Sequence, residues 1–209
     1  MELLFSRECT IFGISNKTYT SPHSVKIGYF EEFLLNEYSQ SIQLCEYTWV
    51  DTIKYRDKIV SRSKKRVNIL YFKKEMIVVF FSNSESDVAF VSSQLNKLFS
   101  LELIRIDIFN DIKHELIMKQ NIENNPQLIS IHMRMPLDND VDKDISLDVS
   151  KIEEKQFEKI LMSNNLVSLK FISSEGLHFD VDRTSVFSFN DNDTLEEIIN
   201  VLQGYAAFI

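Results

Sequence analysis

Basic residues are concentrated in one part of the chain, between residues 54 and 74. In a protein of net charge −8, such a cluster predicts a surface that binds phosphate groups or an acidic protein. Tyr55, Tyr71 and Phe72 are interleaved with it and offer rings on which nucleic-acid bases stack. The same composition is also typical of exposed strand edges, where Lys and Arg prevent aggregation. The candidate binding residues are Lys54, Arg56, Lys58, Arg62, Lys64, Lys65, Arg66, Lys73 and Lys74.

A second group of chemically active residues shares one face of a predicted strand. His178, Asp180 and Asp182 stand at alternate positions, and alternate residues of a strand point to the same side of its sheet. Histidine and carboxylate ligands on one face are what a metal-dependent phosphodiester-cleaving site requires. The apolar residues between them equally describe a strand with one face in water. His132 and Arg134 repeat the pattern and extend the polar patch only if the two strands are neighbours.

Catalytic and cofactor motifs with a fixed spacing do not occur in the sequence. It contains no P-loop, no G-x-G-x-x-G, no H-E-x-x-H and no G-x-S-x-G. The acidic run Asp138–Asp144 has Lys143 where a calcium-binding EF-hand loop needs glycine. The sequence therefore predicts no cofactor and favours a non-catalytic protein. A Ser or Cys nucleophile stays open, because catalytic triads assemble from distant positions.

The elements that hold the end of the basic cluster are the best defined in the chain. Val67–Phe72 and Met76–Phe81 are β-branched and aromatic runs separated by a short polar break, which predicts a hairpin. The second run has no polar residue, which predicts a strand buried on both faces. Ser84, with Asp87 three residues later, predicts the start of a helix.

Periodicity along the rest of the chain predicts an α+β protein. Apolar residues that alternate with polar ones indicate further strands, and apolar residues at helical spacing indicate helices. The predicted fold is an antiparallel-rich mixed sheet covered by about five helices. These helices are predicted near residues 29–40, 84–99, 108–120, 151–163 and 193–203.

Two passages, around Phe80 and around Phe187, share an order of elements. Each has an aromatic strand, a turn of Ser, Asn or Asp, and a capped amphipathic helix. This order predicts two pseudo-equivalent strand-hairpin-helix halves within a single domain of residues 1–209. A sub-boundary is expected near 121–126, where Asn-Asn-Pro interrupts regular structure. The alternative is one mixed sheet with helices on one face.

Composition limits the setting in which the protein works. The 209 residues are 44% hydrophobic, enough for a packed core, and the net charge of −8 disfavours coating of nucleic acid or anionic membranes. Two cysteines are too few for a disulfide framework, and the N-terminus lacks the charge pattern of a signal peptide. We expect a cytoplasmic protein with no membrane association.

The final residues, Gly204–Ile209, carry no charge and must be buried by their own core or by a partner. This tail, the charge segregation and the missing catalytic motifs favour a non-catalytic interaction module. We expect it to be a subunit of a larger cytoplasmic assembly that binds another protein or a second copy of the chain. The competing hypothesis is nucleic-acid binding through residues 54–74. A metal-dependent nuclease built on His178, Asp180 and Asp182 is the third hypothesis.

Overall fold

The computed structural model describes residues 6–16, 18–55, 58–118, 126–137 and 141–206. Its contacts divide the chain into two compact units, residues 1–106 and 107–209. The predicted sub-boundary near 121–126 falls mostly on residues 119–125, which lie outside the described ones. Strands and helices in both units make this an α+β protein in which antiparallel sheet dominates.

The first unit is a sheet packed against one long helix. Its strands follow the order β2-β3-β4-β5-β6-β1, and β7 also pairs with β1. The pairings described within this unit are antiparallel. The elements are β1 (Glu8–Ile14), β2 (Val25–Lys26), β3 (Glu32–Glu37), β4 (Ile42–Tyr55), β5 (Lys58–Phe72), β6 (Ile77–Phe81), α1 (Glu85–Phe99) and β7 (Leu103–Arg105).

The second unit contains the other three helices of the described chain. Its strands follow the order β12-β11-β10-β8-β9, and the pairings described within it are antiparallel. The elements are α2 (Ile108–Ile117), β8 (Gln127–Leu137), β9 (Val141–Asp148), α3 (Glu154–Leu161), β10 (Leu166–Ile172), β11 (His178–Asp182), β12 (Val186–Phe189) and α4 (Leu195–Ala206).

The hairpin β5–β6 and helix α1 confirm the best-defined part of the sequence prediction. All five residues of β6 are buried, so this apolar strand lies in the interior on both faces. Helix α1 begins after Ser84, whose hydroxyl accepts a hydrogen bond from the Asp87 N–H at 3.3 Å. Val88, Val91 and Leu95 then face the sheet at helical spacing and close the core of the first unit.

The core of the second unit is built on aromatic rings from neighbouring strands. Phe179 of β11 stacks on Phe171 of β10 and on Phe187 of β12, with ring centroids 5.5 and 6.1 Å apart. Tyr205 of α4 meets Phe187 edge-on at 5.2 Å. Aromatic pairs of this kind add to the stabilisation from burial alone. Residues 204–206 of the apolar tail form the end of α4, and residues 207–209 lie outside the described residues.

Two of the predicted helices require correction. Residues 29–40 form no helix; their centre is strand β3, because Phe33 pairs with Tyr47 of β4 and is buried against the core. The local helical spacing of aromatic residues is overridden by this pairing. The helix predicted from residue 151 begins only at Glu154. Ser150 belongs to a preceding 3₁₀ turn, in which its N–H donates to the Asp148 carboxylate. Four α-helices are therefore present in the described chain, one fewer than predicted.

The resemblance between the two halves does not extend to strand order. Both passages do form a strand followed by a helix, β6 with α1 and β12 with α4. The strand orders of the two units differ, however. Pseudo-equivalent halves and a single domain of residues 1–209 stay predictions.

Candidate functional site

Strands β4 and β5 extend beyond their neighbours as a two-stranded ribbon. Strand β3 pairs with β4 only as far as Thr48, and β6 pairs with β5 only as far as Asn68. Beyond these points the described pairings join β4 and β5 only to each other, from Trp49 opposite Lys65 to Tyr55 opposite Lys58. We call residues 49–55 and 58–65 the basic ribbon. Isolated two-stranded ribbons are only marginally stable in water, which makes this one unusual.

Strand alternation separates the basic residues of the ribbon onto two faces. Lys65 lies on the face that carries helix α1, whereas Arg62 and Lys64 lie on the opposite face with Arg66. Lys73 and Lys74 lie in the turn after β5. The backbone of β4 and β5 includes Lys54 and Lys58, whose side chains are not described, and Arg56 lies outside the described residues.

Three of the basic side chains are bound by carboxylates of their own unit. Lys65 Nζ lies 2.8 Å from Asp87 and 3.4 Å from Asp51, and its pKa is raised mainly by the hydrogen bond to Asp87. The guanidinium of Arg66 lies 3.5 Å from Glu46, and Lys73 lies 3.4 Å from Glu37. The predicted basic cluster is therefore partly neutralised where it meets the sheet.

Arg62 and Lys64 differ from those three residues. Both are exposed on the same face of β5, and neither makes an ion pair within the described part of the chain. Their charge therefore acts outward, on whatever approaches this face.

A concave site of about 290 Å³ lies where the ribbon leaves the sheet. Tyr29 and Phe30 stand at it with 97% and 65% of their surface exposed, and Leu34 on the same face of β3 is 37% exposed. Solvent-exposed aromatic residues beside cations are typical of binding surfaces. We call this site the aromatic notch; it is lined by Lys26, Gly28, Tyr29, Phe30, Glu31, Glu32, Thr48, Val50 and Lys64.

The turn that carries these aromatic residues is held in place by Glu31. The N–H groups of Ile27 and Gly28 donate to the Glu31 carbonyl at 3.0 and 3.1 Å. The hydroxyl of buried Tyr47 donates to the Glu31 carboxylate, and burial together with this hydrogen bond raises the Tyr47 pKa. Sequence reasoning missed the notch because it assigned Tyr29 and Phe30 to a helix. Gly28, directly before them, was the local signal for a turn.

Strand β11, which carries the candidate metal ligands His178, Asp180 and Asp182, uses one of its carboxylates in a turn. Asp182 Oδ1 accepts hydrogen bonds from the N–H groups of Thr184 and Val186 at 2.8 and 2.9 Å, and from the Thr184 hydroxyl. This is the Asx-type bonding that stabilises tight turns. Within the described ranges, no three His, Cys, Asp or Glu side chains form a group able to hold a metal ion.

Asp180 and His132 come together across the strand that separates them. Strand β10 lies between β8 and β11, yet His132 Nε2 is 3.9 Å from Asp180 Oδ1. Burial raises the Asp180 pKa, while Lys170, His132 and His178 oppose that shift. Because β8 and β11 are not neighbouring strands, the condition for one shared patch is not met; His132 approaches Asp180 across β10, whereas Arg134 binds Asp144 at 2.9 Å.

This cluster lacks the geometry of a hydrolytic triad. Ser130 Oγ lies 3.4 Å from His132 Nε2, the same nitrogen that faces Asp180. A triad needs the serine on one ring nitrogen and the carboxylate on the other, so that the imidazole relays a proton. We assign the cluster to the water-facing side of the sheet in the second unit.

Comparison with known proteins gives no family. No protein-family model matches the chain, and no curated protein matches it. None of the helices in the described part of the chain combines the length and apolar composition that crossing a lipid bilayer needs.

Proposed function

We propose that the protein is a non-catalytic interaction module of the cytoplasm that binds a protein partner. The binding surface is the face formed by the aromatic notch and by Arg62 and Lys64 of the basic ribbon. A single observation carries the proposal: exposed Tyr29 and Phe30 lie beside a two-stranded ribbon that no further strand supports in the described chain. Aromatic residues next to arginine are the composition of interface hot spots.

The partner surface is expected to be acidic. Arg62 and Lys64 point outward without a described ion pair, although the protein as a whole carries a net charge of −8. Complementary charge accelerates encounter, while burial of the aromatic rings supplies affinity. The notch also contains Glu32, but this residue stands directly opposite Lys26 and offsets it. Glu31 is already bound by Tyr47.

The test compares surface variants in a reconstituted complex. The full chain is purified from its native lysate, its retained partner is identified and then produced separately, and the mass of the mixture is measured by light scattering. We expect a complex heavier than the 24.5 kDa monomer. Tyr29→Ala with Phe30→Ala, and separately Arg62→Glu with Lys64→Glu, should each weaken it more than tenfold.

Lys74→Glu is the matched control, because Lys74 is an exposed lysine in the turn after β5 and does not line the notch. It changes the net charge by the same amount per residue and should leave affinity nearly unchanged. A protein that stays monomeric and retains no partner overturns the proposal. So does a complex whose affinity is indifferent to both double variants.

Nucleic-acid binding is the second candidate, and the shape of the basic ribbon favours it. A two-stranded ribbon fits the major groove of duplex DNA, and Arg62 and Lys64 project from one face of this one. Fluorescence anisotropy with a labelled DNA duplex at low and high salt tests this reading. Arg62→Glu with Lys64→Glu should abolish a salt-dependent affinity. Absence of binding by the native chain at low salt removes this candidate.

A further inference from the structure

We infer that the partner contributes an extended segment that adds as a strand to the open edge of β4 beside the aromatic notch. This inference rests on the proposed function and specifies its partner. The occupant is a peptide segment with an apolar residue opposite Val50 and an acidic residue two positions away, opposite Thr52. Four features of the first unit lead to this assignment.

The edge of β4 is left open where β3 ends. Strand β3 pairs with β4 from Glu37 to Glu32, and the chain before Glu32 turns away through the bonds that Ile27 and Gly28 make to Glu31. Strand β4 nevertheless continues to Tyr55. A strand in line with β3 would therefore meet backbone groups of β4 that no described strand binds.

The hydrogen bonds of β3 show which residues of β4 face that edge. The Leu35 N–H donates to Ser24 Oγ at 2.9 Å, and the Ser24 hydroxyl donates to the Leu35 carbonyl at 3.3 Å. The backbone groups of Leu35 thus point away from β4, and those of Leu34 point toward it. In an antiparallel ladder this alternation continues along both strands. Val50 and Thr52 consequently direct their N–H and C=O groups to the open edge.

In β3, a serine side chain blocks backbone groups that face away from β4. At Leu35, the Ser24 hydroxyl occupies both backbone groups that an added strand would need. Proteins commonly block or cover exposed strand edges to prevent uncontrolled pairing. The edge at Val50 has no such hydroxyl bond in the described chain, although it borders a concave site. An edge that remains open beside a pocket is the arrangement used for recognition by strand addition.

The notch and the charges define the chemistry of the segment. Residues directly opposite one another on paired strands place their side chains on the same face. The residue opposite Val50 therefore projects into the aromatic notch, against Val50 and the exposed Tyr29. Glu32 of β3 already stands opposite Thr48, so the next residue of the segment on that face stands opposite Thr52, beside Arg62, while Lys64 lines the notch itself. Neither of these two cations makes an ion pair in the described part of the chain. An apolar residue opposite Val50 with Asp or Glu two positions away, opposite Thr52, satisfies both requirements.

The experiment uses random 12-residue peptides displayed on phage as the probe and the full chain as the target. We expect enriched peptides to carry an acidic residue two positions from an aliphatic or aromatic residue. Bound to the chain, such a peptide should slow hydrogen exchange at the Val50 and Thr52 amides by more than tenfold. The Trp49 and Asp51 amides already face β5, and their exchange should change little.

Two variants separate strand addition from contact through side chains. Lys64→Glu should reverse the preference for acidic peptides and leave protection at Val50 and Thr52 intact with a basic peptide. Lys74→Glu should change neither. If the selection enriches no peptide, or if enriched peptides leave the Val50 and Thr52 amides unprotected, strand addition is overturned. In the second case the proposed function survives, since a partner that docks on the notch through side chains alone still forms a complex.

Discussion

Lys65 of the basic ribbon reaches across the sheet to Asp87 of α1, with 2.8 Å between Nζ and Oδ1. The same ammonium lies 3.4 Å from Asp51 and 5.9 Å from the centre of the Trp49 ring. This contact connects the base of the ribbon to the first turn of the helix, where a carboxylate is also favoured by the helix dipole. The residue that sequence reasoning grouped with a phosphate-binding cluster therefore has a structural role.

Replacement of Lys65 by methionine tests that role. Lys65→Met keeps most of the side-chain volume over Trp49 but removes the charge that binds Asp87 and Asp51. We expect a lower thermal midpoint than that of the native chain. The difference should shrink as salt rises from about 0.01 to about 1 M, because the screening length falls from about 30 to about 3 Å. Lys64→Met is the control, and an equal loss in both variants contradicts the role.

Helix α1 depends on the hydroxyl of Ser84. It accepts the Asp87 N–H at 3.3 Å, and the same nitrogen also lies 3.1 Å from the Ser84 carbonyl oxygen. Ser84→Ala should therefore lower the free energy of unfolding by about 1 kcal/mol. Ser93 is exposed in the middle of the same helix. Ser93→Ala should not lower the free energy of unfolding, because alanine is a better helix former than serine. Urea denaturation of the two variants measures the contrast; equal destabilisation is the contrary result.

The basic ribbon and the hairpin show where sequence reasoning succeeds and where it stops. The hairpin and α1 were predictable because their local patterns agree with their tertiary environment. The division of Lys64 and Lys65 between two faces follows from strand periodicity and was within reach of the sequence. The aromatic notch was not, since it depends on β3 ending at Glu32 while its partner strand continues. That length difference is set by pairing between distant segments.

The wrong helix at 29–40 has the same origin. The spacing of Phe30, Phe33 and Leu34 is that of one face of a helix. Phe33 is buried, whereas Phe30 and Leu34 are exposed, so these residues never form one apolar stripe. The bonding of Asp182 in the turn after β11 was beyond the sequence for a related reason, because alternation along a strand carries no information about the turn that follows it.

Two serines in the left-handed backbone region should respond oppositely to glycine. Ser100 ends α1 with φ of 56° and is exposed, whereas Ser185 has φ of 59° and is 3% exposed. Replacement by glycine relieves the strain of the left-handed backbone at both positions. Glycine also raises the conformational entropy of the unfolded chain, which partly offsets this gain in stability. Ser100→Gly should therefore raise the free energy of unfolding by about 0.5–1 kcal/mol.

At Ser185 the hydroxyl reverses that balance. It accepts the Phe109 N–H at 3.1 Å and donates to Asp107 at 3.3 Å, which fixes the start of α2. Loss of a buried hydrogen bond costs about 1–3 kcal/mol, more than the relieved strain. Ser185→Gly should therefore lower the free energy of unfolding by about 1 kcal/mol, as measured by urea denaturation. A stabilised Ser185→Gly variant would show that the hydroxyl contributes less than the backbone strain that glycine relieves.

Asp180 should make the protein less stable as pH rises. Burial raises its pKa above the ordinary value of 3.8, despite the nearby Lys170, His132 and His178. The folded protein thus holds this proton more tightly than the unfolded chain does. The stabilisation is complete below the unfolded pKa and is lost as pH rises through the folded one. Asp180→Asn removes the charge, so we expect it to be more stable than the native chain at pH 7 and to lose that advantage in acid.

Asp144 provides a control of opposite sign. The hydrogen bond from Arg134 lowers the Asp144 pKa, so this carboxylate stabilises the fold above its unfolded pKa and ceases to do so as pH falls. Asp144→Asn should therefore be the less stable protein at pH 7, with a difference that closes in acid. Urea midpoints measured between about pH 3 and about pH 8 distinguish the two carboxylates, since that range spans ordinary aspartate titration. If the midpoints of Asp180→Asn run parallel to those of the native chain, the pKa of Asp180 is unshifted and its desolvation is negligible.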